Sequence, residues 1–235
     1  MATVVFVHGA MDRAASFQRV ARRLPEVTVV TYDRRGYNES LHLPPTGDIN
    51  RHAADLARVI GTEPSVVIGH SFGALIALVA AQHHRGLVVA LGCYEPPGPW
   101  LPWWRAASED GRPEDPGELA EWFMRRTIGD SAWERLDAAV RDRRRREGHA
   151  LRGDLEAAAV RPYEAEEILV PTSFGYGQAS PGHYRRSASE QAMEVPGAVV
   201  VEVPGAAHGA HLSRPDAFSG FARQVMASAP GRDGA

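Results

Sequence analysis

The chain has a single cysteine, Cys93, among its 235 residues. That rules out an intramolecular disulfide and fits a reducing compartment. It also lacks any apolar run near the ~20 residues that a membrane-crossing helix requires. No basic leader opens it: Met1-Ala2-Thr3-Val4-Val5-Phe6-Val7 runs straight into a strand-like segment, so no secretory signal is expected. A strong charge of either sign is missing too. A formal net charge of −3 gives no general pull toward nucleic acid or anionic membranes. There is no internal repeat, and no Cys/His spacing of the kind that holds a metal. What these absences leave is a soluble, cytoplasmic, globular chain whose oligomeric state is not legible.

The apolar content, 44%, against 23% charged residues, is enough for one full core. Its distribution alternates. Residues 3–7 form a β-branched run suited to a strand buried on both faces. A helical pattern with Phe17, Val20, Ala21 and Leu24 on one side follows and stops at Pro25. Residues 27–32 repeat the strand pattern. Asp48 is placed to cap a helix that shares Ile49, Ala53, Leu56 and Ile60 on one face. Further strands are expected at 66–70, 87–91, 167–175 and 199–203, and helices after Ser71, around 184–193 and over 215–226. Strands alternating with amphipathic helices argue for a mostly parallel, doubly wound α/β sheet.

Pro96-Pro97 interrupts that rhythm. The next seventy or so residues hold all five tryptophans and no strand pattern, and they predict two helices, over 119–127 and 131–147. The organisation read from this is a core of residues 1–95 and 166–228, a helical cap insertion at 96–165, and a frayed tail at 229–235. The basic run Arg141 to Arg146 reads as a solvated helix face, not a site for anions.

The chemistry centres on Gly69-His70-Ser71-Phe72-Gly73, a G-x-S-x-G pattern between a strand and a helix. So tight a turn strains the serine backbone and demands small neighbours, and it leaves the hydroxyl exposed beside the helix's first amides. A serine needs a base within hydrogen-bond reach to become a nucleophile at neutral pH. His208, just past the last strand and among small residues, is the candidate. In an open α/β sheet, ligands bind beyond the carboxyl ends of the strands, where His8, Ser71, Glu95 and His208 all fall.

These pieces, with His8-Gly9, Asp33-Arg34-Arg35-Gly36-Tyr37-Asn38-Glu39-Ser40, and Gly205-Ala206-Ala207-His208 followed by Pro215 and Phe218, resemble the α/β-hydrolase superfamily. Only its usual leading antiparallel strands are not expected here. The resemblance implies a catalytic Ser71, a base at His208 and an oxyanion hole from the amides of Ala10 and Phe72. It casts His8, His70, His211 and Asp33 as supporting groups. It also exposes a departure. The family's usual acid position, after the next-to-last strand, is occupied by Ser180, which is neutral and cannot stabilise an imidazolium. Glu95, after the strand that follows the nucleophile, takes the acid's place. Asp33, a residue of the insertion, or an incomplete dyad are the alternatives. Trp100, Trp103 and Trp104 are candidates to line an apolar pocket or to form insertion core. The function expected is a serine hydrolase of small, mainly apolar esters, thioesters or lactones. It needs no metal or organic cofactor. A carbon–carbon bond hydrolase, or a receptor that has lost turnover, are the other readings.

Overall fold

The computed structural model describes residues 2–104 and 111–230. The core strands are β1 (Thr3–Val7), β2 (Thr28–Thr31), β3 (Ser65–His70), β4 (Val88–Tyr94), β5 (Thr172–Gly177) and β6 (Val199–Val203). They form one sheet in the order β2-β1-β3-β4-β5-β6, and every described pairing is parallel. Parallel strands need crossover helices, and helices lie on both faces. β3 is buried along its whole length, which explains why its sequence shows no polar alternation.

The helices are α1 (Gln18–Ala21), α2 (Ile49–Ile60), α3 (Phe72–His83), α4 (Pro116–Ile128), α5 (Asp130–Glu134), α6 (Ala138–Arg146), α7 (Gly148–Ala157), α8 (Gly182–Glu194), α9 (Ala210–Ser213) and α10 (Pro215–Ser228). On one face Val5, Val7, Val67 and Leu91 pack with α2, α3 and α8. The alternate residues Val4, Phe6, Val66 and Ile68 pack on the other with α1 and α10. Asp48 caps α2 by accepting from the Asn50 amide, and the expected stripe Ile49, Ala53, Leu56 and Ile60 is buried. The chain reverses its winding direction between β1 and β3. That is the switch point at which open α/β sheets place ligands.

Several boundaries differ from expectation. The first helix is split into a 3₁₀ turn, Ala14–Phe17, and the short α1. β4 extends to Tyr94, because Gly92 gives no side chain to the tight space against Val225 and Ile68. β5 starts only at Thr172, since residues before Pro171 turn as a 3₁₀ helix, Ala165–Glu167. The expected helix over 131–147 is two, α5 and α6, and a third, α7, follows beyond it. α7 opens at Gly148, where a Cβ would sit 1.7 Å from the Pro116 carbonyl oxygen. The frayed tail, apart from Ala229 and Pro230, lies outside the described residues. No described helix is long and apolar enough to cross a membrane.

The basic run is only partly a solvated face. Arg145 pairs with Glu121 and lies 5.8 Å from the Trp133 ring centroid. Arg144 donates to the Met11 carbonyl and to the fully buried Glu147. Arg144 thus fastens this segment to the loop after β1, while Arg145 ties α6 to α4, because their long stems bury while the guanidinium finds acceptors.

Candidate active site

Ser71 sits between β3 and α3 with φ 54° and ψ −125°, a conformation that costs a non-glycine residue energy and persists only where the surroundings impose it. The imposition is visible in its neighbours. A Cβ on Gly69 would lie 2.3 Å from the Gly73 oxygen, and one on Gly73 would lie 2.2 Å from the Val7 oxygen. Gly9 approaches from the other side, where a Cβ would stand 3.0 Å from Ser71 Cβ. The Ser71 amide donates to the Tyr94 carbonyl at 2.8 Å, tying the turn to β4. Phe72 opens α3, so its amide has no partner within the helix.

Glu95 follows Tyr94 directly, is fully buried, and also has a positive φ of 49°. Its Oε2 lies 2.6 Å from His208 Nδ1. Its Oε1 accepts from the Gly177 amide at 2.7 Å and from the Ser180 hydroxyl. The structure thus brings the expected base and acid into contact, and Ser180, past the end of β5 at the family's usual acid position, donates to the carboxylate that follows the neighbouring strand. Gly177 is needed for this approach, since a Cβ there would be 2.4 Å from the Ala206 oxygen and 2.8 Å from the Tyr94 hydroxyl. Asp33 is occupied elsewhere. It accepts from the Ala14 amide and Asn38 Nδ2, which holds the turn after β2. Among the described residues no hydrogen bond joins Ser71 Oγ to His208 Nε2.

His208 is also held from two sides. Tyr184 of α8 stacks on its ring, with centroids 4.4 Å apart and planes 13° apart. His70 Nε2 donates to the His208 carbonyl at 2.8 Å, which leaves His70 Nδ1 as a lone pair. Burial, reinforced by His211 and His208, holds the His70 pKa well below the usual histidine value, so it is neutral. Of the three tryptophans, Trp104 reaches this region, edge-on to Tyr184 and His183. Trp103 donates to Glu190 and lies under Arg186, and Trp100 packs on Tyr163, so both are packing elements of the insertion's first segment.

The loop carrying Ala10 is braced by His8, one of the expected supporting groups, and by Arg34 and Asp154, which the structure brings together. His8 accepts from the Arg34 amide at Nε2, so Nδ1 carries the proton and donates to the Gly9 carbonyl. Burial, then the Arg34 charge, lowers the His8 pKa to about 4. Arg34 donates to the carbonyls of both His8 and Gly9 and forms a bidentate pair with Asp154 of α7 at 2.9 and 2.6 Å. Tyr37 adds a hydrogen bond to Asp154. Arg34 and Asp154 are each about 1% exposed. The signal in the sequence was Asp154 itself, an acid on the buried face of α7 with Ala150 and Leu151.

Comparison with known proteins fits this arrangement. One curated relative, the lipase LipV of Mycobacterium tuberculosis, is 32% identical over 98 residues, 40% of this chain and 37% of that protein. The chain therefore aligns with little more than a third of that relative's length. An α/β hydrolase from Sphaerobacter thermophilus superposes with a TM-score of 0.73 at 27% identity, covering 96% of this chain and 92% of the other. The RedJ thioesterase of prodiginine biosynthesis in Streptomyces coelicolor superposes with a TM-score of 0.73 at 23% identity, covering 96% and 89%, which is a likeness of fold. The sequence profile of the alpha/beta hydrolase family matches residues 4–221. With that match spanning nearly the whole sheet, the elbow and the His208 loop, the chain belongs to the alpha/beta hydrolase family.

Proposed function

We propose that the protein is a serine hydrolase that cleaves a small, mainly apolar carboxylic ester, thioester or lactone through an acyl-enzyme on Ser71. The observation that carries this is the 2.6 Å contact between Glu95 Oε2 and His208 Nδ1, with the His208 ring 4.6 Å from that of His70, the neighbour of the strained Ser71. Glu95 orients the imidazole and fixes the proton on Nδ1, so Nε2 is free to act as base. Resting enzymes often leave the serine–histidine bond long and close it on substrate. The Ser71 Oγ–H proton passes to His208 Nε2 as Oγ bonds to the carbonyl carbon. The amides of Phe72 and Ala10 receive the oxyanion, an interaction worth several kcal/mol in such sites. Collapse breaks the bond to the leaving alcohol, thiol or enol, which takes the proton from His208. Water, deprotonated by the same nitrogen, then attacks the acyl carbon and releases the acid with regeneration of Ser71.

Two further points support the class. The aromatic wall of Tyr184 and Trp104 beside His208 favours an apolar acyl or leaving group. One of the similar proteins is a lipase and another a thioesterase. A non-catalytic receptor is the other reading, favoured by the missing carboxylate at position 180, and the Glu95–His208 contact supports the hydrolase instead. Residues 96–165 then act as the cap over the site. The test is labelling with a fluorophosphonate and hydrolysis of p-nitrophenyl butyrate. Wild type is expected to be labelled at Ser71 and to turn over the ester, and Ser71→Ala to do neither. Ester turnover undiminished in Ser71→Ala refutes the proposal.

A further inference from the structure

Behind the proposed triad lies a second polar cluster that the reaction does not use. Asp12 comes from the loop after β1, His70 from the end of β3 and His211 from α9. One ligand atom from each falls within 4.8 Å of the others. Asp12 Oδ2 is 3.1 Å from His211 Nε2 and 4.0 Å from His70 Nδ1. His70 and His211 are 5% and 2% exposed. Asp12 Oδ2, His70 Nδ1 and both nitrogens of His211 lack a well-formed hydrogen bond, and Asp12 and His211 face each other as a close ion pair. Buried polar atoms left so are costly, and a group of them converging on one point calls for a guest.

We propose that Asp12, His70 and His211 form a binding site for a divalent transition-metal ion of the zinc class, with solvent completing the coordination. Two imidazoles and a carboxylate suit such ions better than magnesium or calcium, which prefer all-oxygen sets. Tetrahedral zinc holds N and O ligands about 3.3 Å apart, as follows from bonds of about 2.0–2.2 Å. The pair separations of 3.1 and 4.0 Å bracket that value, and closing the widest pair takes a shift of roughly 1 Å per side chain. The surroundings are those of a built site. His70 already donates its other ring nitrogen to the His208 carbonyl, the outer contact that fixes a ligand's tautomer and orientation. Phe17 stacks on His211 at 4.8 Å and Phe218 meets it edge-on, giving an apolar wall. The Asp12 side chain retains 16% exposure and is the way in.

An ion here would join the three loops that carry the proposed oxyanion donor, nucleophile and base, without touching Ser71. The test uses the full chain without a histidine tag, since ten native histidines already compete. Metal-free protein is titrated with Zn²⁺ and with Co²⁺, whose visible absorption reports tetrahedral nitrogen and oxygen ligation. One equivalent is expected to bind, with a rise in Tm. Asp12→Asn and His211→Gln are expected to weaken binding at least tenfold while keeping a native far-UV circular dichroism spectrum. Should either variant fail to fold, anomalous diffraction from zinc-soaked wild-type crystals decides, with a peak expected between the three side chains. No stoichiometric uptake, uptake indifferent to both substitutions, or a peak elsewhere overturns the proposal. Because binding is read without turnover, this outcome is independent of whether Ser71 proves to be a nucleophile.

Discussion

Glu95→Gln isolates the charge of the proposed acid. The substitution keeps the volume of a fully buried side chain, and a glutamine oxygen can still accept from the Gly177 amide and the Ser180 hydroxyl. Folding stability should therefore change by no more than about 1–3 kcal/mol, the cost of altering one buried hydrogen bond to a charged group. What changes is the group facing His208. The glutamine NH₂ would take the place of Oε2, where it donates and cannot accept, so His208 Nδ1 must become an acceptor. The ring proton then moves to Nε2, the atom that should take the Ser71 proton. A wrong tautomer of this kind costs about four orders of magnitude in kcat in serine hydrolases, or about 5.5 kcal/mol of barrier. His208 serves in both half-reactions, so the acylation burst and the steady-state rate with p-nitrophenyl butyrate should fall together. Ser180→Ala provides the contrast. It removes one donor to Oε1 and leaves the charge and the His208 contact, so a loss of at most about tenfold is expected. If Glu95→Gln folds natively and keeps a rate within tenfold of wild type, the acid assignment is wrong.

Asp154→Ala strips the partner from a buried guanidinium, and urea denaturation should show a loss of about 3–5 kcal/mol. Gly73→Ala forces a Cβ to within 2.2 Å of the Val7 oxygen, where backbone cannot yield, so a loss of about 3 kcal/mol or more, or no soluble protein, is expected. Acid should destabilise the fold early. The His8 pKa falls from 6.5 to about 4 through burial, with the Arg34 charge adding, so the unfolded chain binds the proton first. Stability from this group is complete above pH 6.5 and declines as pH drops toward 4, by about 3 kcal/mol in all. His52, lowered likewise to about 4 by burial and Arg34, adds to the same window. Tm measured between pH 7 and 4 should fall, and the fall should be shallower in His52→Gln; identical slopes would contradict the argument.

Much of the sheet was legible because burial on two faces writes itself as short β-branched runs, as in residues 3–7 and 66–68. Ser71 was legible for a local reason, since the glycines that make its turn possible flank it. Glu95 stood out by its place at a strand end, and the structure puts it against His208. What the sequence hid were relations between distant segments. Nothing near Arg34 announces Asp154, and nothing near His70 announces Asp12 and His211. The division of the insertion was hidden for a similar reason. Gly148, where α7 opens, leaves room for no side chain because Pro116, far away in the chain, occupies the space. The tryptophans show the same limit: their sequence left packing and pocket lining both open, and only the structure places Trp100 on Tyr163 and Trp103 against Glu190.

The Arg34–Asp154 pair also has a mechanical consequence. Arg34 holds α7 through Asp154 and, with the same guanidinium, the carbonyls of His8 and Gly9 in the loop after β1. One rigid, planar fork therefore ties two segments far apart in the chain, so a displacement of α7 is passed directly to that loop. Substitutions that loosen α7 at Asp154 would slacken the loop after β1 with it, whereas changes on the side where Trp104, His183 and Tyr184 meet leave this fastener untouched.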